Sequence, residues 1–235
     1  MGFDVSYHPI SEQEMEQWYF LPLEWVRAGE IEKVRQLAEA RGIEPFYCNK
    51  YLDTLKVGAQ TTAEELFDKS HSYYLAVVQG FFRDFYYIRG AAFSFLVEQK
   101  PIYRTYTKSW PEIWRKPWPN EARSQLLENY CGGVYLPPQQ VVRLLVDYDK
   151  NSHVREDLEQ CYSHGRLAVF LKALQAAQEQ GLGILEAAEV VEPNPFDPNK
   201  SSCYSNLYHC DVEGVLLYIE TAQAQLAEVM QNREG

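Results

Sequence analysis

The stretch from Tyr73 to Val97, YYLAVVQGFFRDFYYIRGAAFSFLV, is the most apolar part of the chain and constrains its fold more than any other. Its length suggests a membrane span, but Arg83, Asp84 and Arg89 interrupt it. A charge at the centre of a bilayer costs about 2.5–3.5 kcal/mol or more, so no membrane partner is expected. A segment apolar on every side belongs inside a protein. It reads as one or two buried central helices around which the other elements must pack.

Those elements are mostly amphipathic helices. Ser11 with Glu14 three residues on forms a capping box for SEQEMEQWYF, and Thr62 with Glu65 offers another. Ile31, Val34, Leu37 and Ala38 share one helical face, and Gly42 stands where such a helix stops. NEARSQLLENYCGG reads as a short helix beginning at Asn120. Further helices are expected in PQQVVRLLVDYDKN, HVREDLEQCYSHG and RLAVFLKALQAAQEQG. Asp211 is placed to cap the last one, which carries an apolar stripe of Val215, Leu216, Ile219, Ala222, Leu226 and Val229.

Strand signals are fewer. Phe3, Val5 and Tyr7 alternate with Asp4 and Ser6, and both GGVYLPP and GILEAAEVVEPN look extended. The expected fold is α+β, mainly helical. It is a single compact domain over 1–235 with a small sheet of about three strands, formed by the N-terminal strand, the 133–136 segment and the 184–191 segment.

The net charge of −11 is concentrated at the two ends: residues 1–67 hold 12 acids and 6 bases, and residues 151–235 hold 13 and 5. Such a surface opposes general binding to nucleic acid and favours basic protein partners. No apolar leader opens MGFDVSYHPI, and five cysteines make no paired framework, so a cytoplasmic protein with reduced thiols is expected.

Chemistry-bearing residues cluster in CYSHG, with Cys161 and His164, and in SSCYSNLYHCD, with Cys203, His209 and Cys210. Thiolate and imidazole suit zinc, but no C-x2-C pair exists, and the spacing matches no zinc module. No metal and no cofactor is expected. The enzymatic alternative is a metal- or thiol-dependent hydrolase using the Cys/His cluster at 161–164 and 203–210, and the thiol pairs weighed for it are Cys203 with His209 and Cys131 with His71. DPNKS alternates oxygen ligands but lacks the central glycine of a calcium loop. P-loop, dinucleotide, zincin and hydrolase-elbow motifs are absent from the sequence, and no catalytic residue is assigned.

Two segments look like recognition surfaces. PIYRTYTKSWPEIWRKPWP interleaves four bases with three tryptophans and two tyrosines. That pattern serves a core, a protein hot spot or a stacking platform. EPNPFDPNKSSCYSNLYHCD holds three prolines, three asparagines and two aspartates, and reads as a long loop built from turns. Phe196, Tyr204, Leu207 and Tyr208 are available either to anchor this loop or to meet a partner. Asp197, Asn199, Tyr204, Tyr208 and Asp211 are the expected partner-binding residues. The expected function is that of a non-enzymatic protein-binding protein, most concretely an immunity or inhibitor protein that neutralises a basic bacterial toxin or effector.

Overall fold

The structure is a computed structural model that describes residues 3–62, 65–114 and 129–234. The chain folds as an α+β domain dominated by helices. A five-stranded mixed sheet runs in the order β3-β4-β1-β2-β7, and a two-stranded sheet pairs β5 with β6. The strands are β1 (Asp4–Ile10), β2 (Phe85–Arg89), β3 (Gly132–Leu136), β4 (Gly183–Ala188), β5 (Val191–Glu192), β6 (Ser202–Cys203) and β7 (Cys210–Asp211).

β1 is the centre of the sheet. It pairs antiparallel with β2 through Asp4↔Arg89 to Tyr7↔Tyr86, and antiparallel with β4 through Val5↔Ala188 to Ile10↔Gly183. Successive side chains point to opposite faces, so Val5 and Tyr7 enter one core while Ser6, His8 and Ile10 face the other layer.

The layer on the Ile10 face holds α1 (Glu12–Met15), α2 (Leu21–Arg27), α3 (Ile31–Ala40), α4 (Pro45–Gln60) and α5 (His71–Phe82). The Ser11 capping box forms as expected, with Glu14 N donating to Ser11 Oγ at 3.2 Å. A π-helical turn, Glu16–Phe20, joins α1 to α2 and buries Trp18, Tyr19 and Phe20 in succession. The opposite layer holds α6 (Phe93–Gln99), α8 (Pro138–Lys150), α9 (Ser152–Cys161) and α10 (Arg166–Glu179). The short α7 (Trp110–Ile113) packs its Trp110 into the first layer.

The three-stranded arrangement expected from sequence forms the β3-β4-β1 part of the sheet, but the sheet extends further. The segment 73–97 is not purely helical: α5 stops at Phe82, and β2 follows before α6. β2 is buried on both faces, so its residues form a continuous apolar run without the alternation that marks a half-buried strand. The 184–191 segment also divides. Glu189 takes a left-handed φ of 62°, ending β4 at Ala188 and sending Val191 into the second sheet. The capping box expected at Thr62 and Glu65 spans residues outside the description, and Glu65 N instead donates to Asp68 Oδ2 at 3.0 Å in a turn. Most of the helix expected from Asn120 also lies outside the described residues.

The last helix, α11 (Val212–Glu234), begins at β7 and crosses β2. The crossing needs Gly214, where a Cβ would stand 1.7 Å from the Tyr87 carbonyl oxygen. Beyond this crossing the helix is largely exposed, including Leu226, Val229 and Met230. No helix among the described residues is long and apolar enough to cross a membrane.

Candidate functional site

The loop between β5 and β7 is held by its short polar side chains. Asn194 Oδ1 accepts from Phe196 N and Asp197 N at 3.0 Å each, and Asp197 Oδ1 accepts from Asn199 N at 3.2 Å. Asn206 Oδ1 accepts from Tyr208 N at 3.0 Å. These contacts mimic backbone turns, which is why Asn and Asp recur here. Ser205 is buried and its Oγ donates to the Val77 carbonyl at 2.7 Å. His209 Nδ1 donates to the Gly80 carbonyl at 2.9 Å. The loop is therefore fastened to α5 through Ser205 and His209.

The four apolar side chains available as anchors point outward instead: Phe196 is 60%, Tyr204 51%, Leu207 53% and Tyr208 85% exposed. Tyr204 meets Tyr73 edge-on, with ring centroids 6.4 Å apart. Tyr208 lies near Tyr47 on α4, whose hydroxyl pKa is raised by burial first and then by Tyr208. Lys50 on α4 ties the surfaces together. Its Nζ donates to the Cys203 carbonyl at 3.2 Å and stands 5.5 Å from the Phe46 ring centroid and 5.9 Å from that of Tyr47. Phe46 is itself 63% exposed.

A cleft of about 530 Å³ adjoins this patch, with Lys50, Val57, Tyr73, Tyr74 and Tyr204 among its walls. Lys69 also faces it, 4.3 Å from the Tyr73 ring and paired with Glu189 at 2.5 Å.

The expected partner-binding residues do not all share this surface. Tyr204 and Tyr208 border α4 and α5. Asp197 pairs with Lys200 at 3.4 Å, and Asn199 is exposed on the same short turn. Asp211 is committed elsewhere. Its Oδ2 accepts from Lys172 on α10 at 2.7 Å, and its Oδ1 accepts from Glu213 N at 3.1 Å, capping α11. The contributions of Phe46 and Lys50 were not legible in sequence, because nothing in α4 announces which loop will lie against it.

The Cys/His residues do not assemble. Cys161 lies against the α6 layer with its Sγ 3.6 Å from the Ala92 carbonyl, whereas Cys203 and Cys210 belong to the small core under β7. Among the described residues no three His, Cys, Asp or Glu side chains converge as a metal site would require. All five cysteines are free thiols. Burial pushes Cys161 up to about 11 and Cys210 up to about 12, and raises Cys131 and Cys203 as well. A nucleophilic cysteine needs the opposite shift. His71 holds Tyr19 Oη at 2.6 Å through Nδ1, and burial lowers its pKa to about 4.

The aromatic side chains in the described part of the Trp/Arg-rich segment are core, while residues between them such as Ile102 are exposed. Tyr103, Tyr106, Trp110 and Trp114 are buried, and the two hydroxyls donate to Asp157 at 2.8 Å and Asp147 at 2.6 Å. Trp118 lies outside the described residues. Compared with protein-family models, curated proteins and solved structures, the chain gave no match.

Proposed function

We propose that the chain is a non-enzymatic cytoplasmic protein-binding protein, most concretely an immunity or inhibitor protein that neutralises a basic toxin or effector. The observation that supports this is the exposed patch of Phe46, Tyr204, Leu207 and Tyr208 around Lys50. Its backbone is fixed by Ser205, Asn206 and His209, so presenting these side chains to a partner carries little ordering cost. Large amphipathic rings on a rigid frame have the composition of a binding hot spot. The overall charge of −11 supplies long-range attraction for a basic partner.

The test is capture of partners from the native host by wild-type protein and by a Tyr204→Ala/Tyr208→Ala double variant, followed by binding kinetics with whatever is recovered. Each substitution should weaken binding by about 1–3 kcal/mol. Association should slow steeply between low and physiological salt while dissociation changes less. A partner bound equally well by the double variant would reject this surface, and turnover of a small substrate without a protein partner would reject the function.

A further inference from the structure

The second large cavity lies beneath α11, away from the aromatic patch. Its volume is about 460 Å³, within the 300–1,000 Å³ usual for small-molecule sites. Both sides are mixed, but its cations come from one of them. α11 contributes Leu217, Leu226 and Val229 along with Thr221 and Gln225, and the body of the domain contributes Arg89, His164 and Arg166 along with apolar side chains such as Val169 and Phe196. His164 and Gly165 both take left-handed φ values, 60° and 82°, in the turn that leads from α9 into α10. Leu217 packs against that turn, since a Cβ on Gly165 would meet it at 3.3 Å.

The charges here are unequally balanced. Arg89 is neutralised by Asp4, and its guanidinium lies 4.8 Å from the Tyr218 ring centroid. Arg166 donates to the Ser163 carbonyl at 3.1 Å and has no carboxylate partner among the described residues. Among the described residues this guanidinium is thus left without a carboxylate beside the apolar side chains of the cavity. The matching ligand has an anionic head and an apolar tail. A guanidinium binds a carboxylate through two parallel N–H···O bonds, and burying methylenes against α11 adds hydrophobic stabilisation along the tail.

We infer that the wedge between α11 and the body binds a free long-chain carboxylate, with its head on Arg166 beside His164 and its chain along Leu217, Leu226 and Val229. Calorimetric titration with dodecanoate, kept below its micelle concentration, tests this. Saturable binding of one molecule per chain is expected, weakened about tenfold or more by Arg166→Ala, which removes a charge-assisted pair. Leu226→Asp should weaken it comparably. Leu226 is 46% exposed, so the fold should persist, as circular dichroism would confirm. Absence of saturable binding would overturn the assignment, as would equal binding of dodecylamine or an unchanged affinity in Arg166→Ala. Binding only to phosphatidylglycerol vesicles would overturn it in favour of a membrane-surface contact. A dimer that dissociates on Leu226→Asp, without dodecanoate binding, would overturn it in favour of a second copy.

Discussion

Tyr7 and Tyr208 carry the same side chain in opposite settings. Tyr7 is fully buried, its hydroxyl 2.7 Å from that of Tyr162 and 3.0 Å from Glu186 Oε2. Tyr208 is 85% exposed, and its backbone N–H is held by Asn206. Other interior tyrosines resemble Tyr7. Tyr51 donates to the Trp18 carbonyl at 2.7 Å and Tyr135 to the Ile10 carbonyl at 3.2 Å. Most of the aromatic excess is therefore core material whose hydroxyls satisfy one another and the backbone. The content of 17 tyrosines is a weak pointer to an interface, and the few on the 204–208 loop are the ones that bear on binding.

Alkali should separate the two groups most strongly. Burial raises the pKa of Tyr7, Tyr19, Tyr51 and Tyr162 well above the usual value near 10. Above pH 10 the unfolded chain releases these protons while the folded chain keeps them, so stability falls as pH rises. Each group removes about 1.4 kcal/mol per pH unit, and four together approach the whole stability of a typical domain within two units. The phenolate absorbance of the interior set and the loss of helical circular dichroism should therefore appear in one step above pH 10. Phenolate formation by the full interior set before unfolding would break the comparison.

Glu186 tests the interior set at its centre. The residue is buried, and its carboxyl accepts from Phe93 N at 2.5 Å as well as from Tyr7. Glu186→Ala should cost about 3–5 kcal/mol in urea unfolding, because several donors lose their acceptor in a dry site. Tyr7→Phe should cost less, about 1–2 kcal/mol.

Acid acts on the opposite face of the same strand. His8 Nδ1 lies 2.7 Å from Gln79 Oε1 and Nε2 lies 2.8 Å from Ser6 Oγ. Burial lowers the pKa of His8 to about 4. The unfolded chain takes up this proton below about pH 6.5, where the folded chain does not, so the His8 contribution to stability rises between pH 4 and 6.5. Glu186, whose pKa burial raises, works in the opposite sense. His8→Asn should reduce the stability gained between pH 4.5 and 6.5 by about 2–3 kcal/mol, measured by urea unfolding at both pH values.

Tyr208→Ala should have the smallest effect, within about 0.5 kcal/mol of wild type in the same assay. A larger loss would show that Tyr208 fastens the loop and would remove it from the proposed surface.

Much of the sheet was legible in sequence, for reasons specific to each strand. β1 shows alternation, and GGVYLPP is bounded by glycine and proline. β2 was hidden because FYYIR is buried on both sides and continues an apolar run from α5. β7 has two residues and exists only because the preceding loop carries it alongside Phe85 and Tyr86. At the candidate site, Asn194, Pro195, Asp197 and Asn206 announced the loop. The outward direction of Phe196 and Leu207 was not announced, because Ser205 and His209 do the fastening through hydrogen bonds that leave no hydrophobic pattern.

The position of β1 has a consequence for synthesis. Val5 must pair with Ala188, and Ser6 donates to the Ala187 carbonyl across 181 positions. At translation rates of roughly 5–20 residues per second, β4 follows β1 by about 9–36 s. Even β2, the other neighbour, comes some 80 positions later. The central strand, with Val5, Tyr7 and Ile10, thus leaves the ribosome with both edges open and waits there for partners. Closing such distant contacts is slow, and an open apolar strand is an invitation to pair with another chain. Productive folding of the nascent chain should therefore depend on a chaperone that shields residues 4–10 until residues 183–188 have been made.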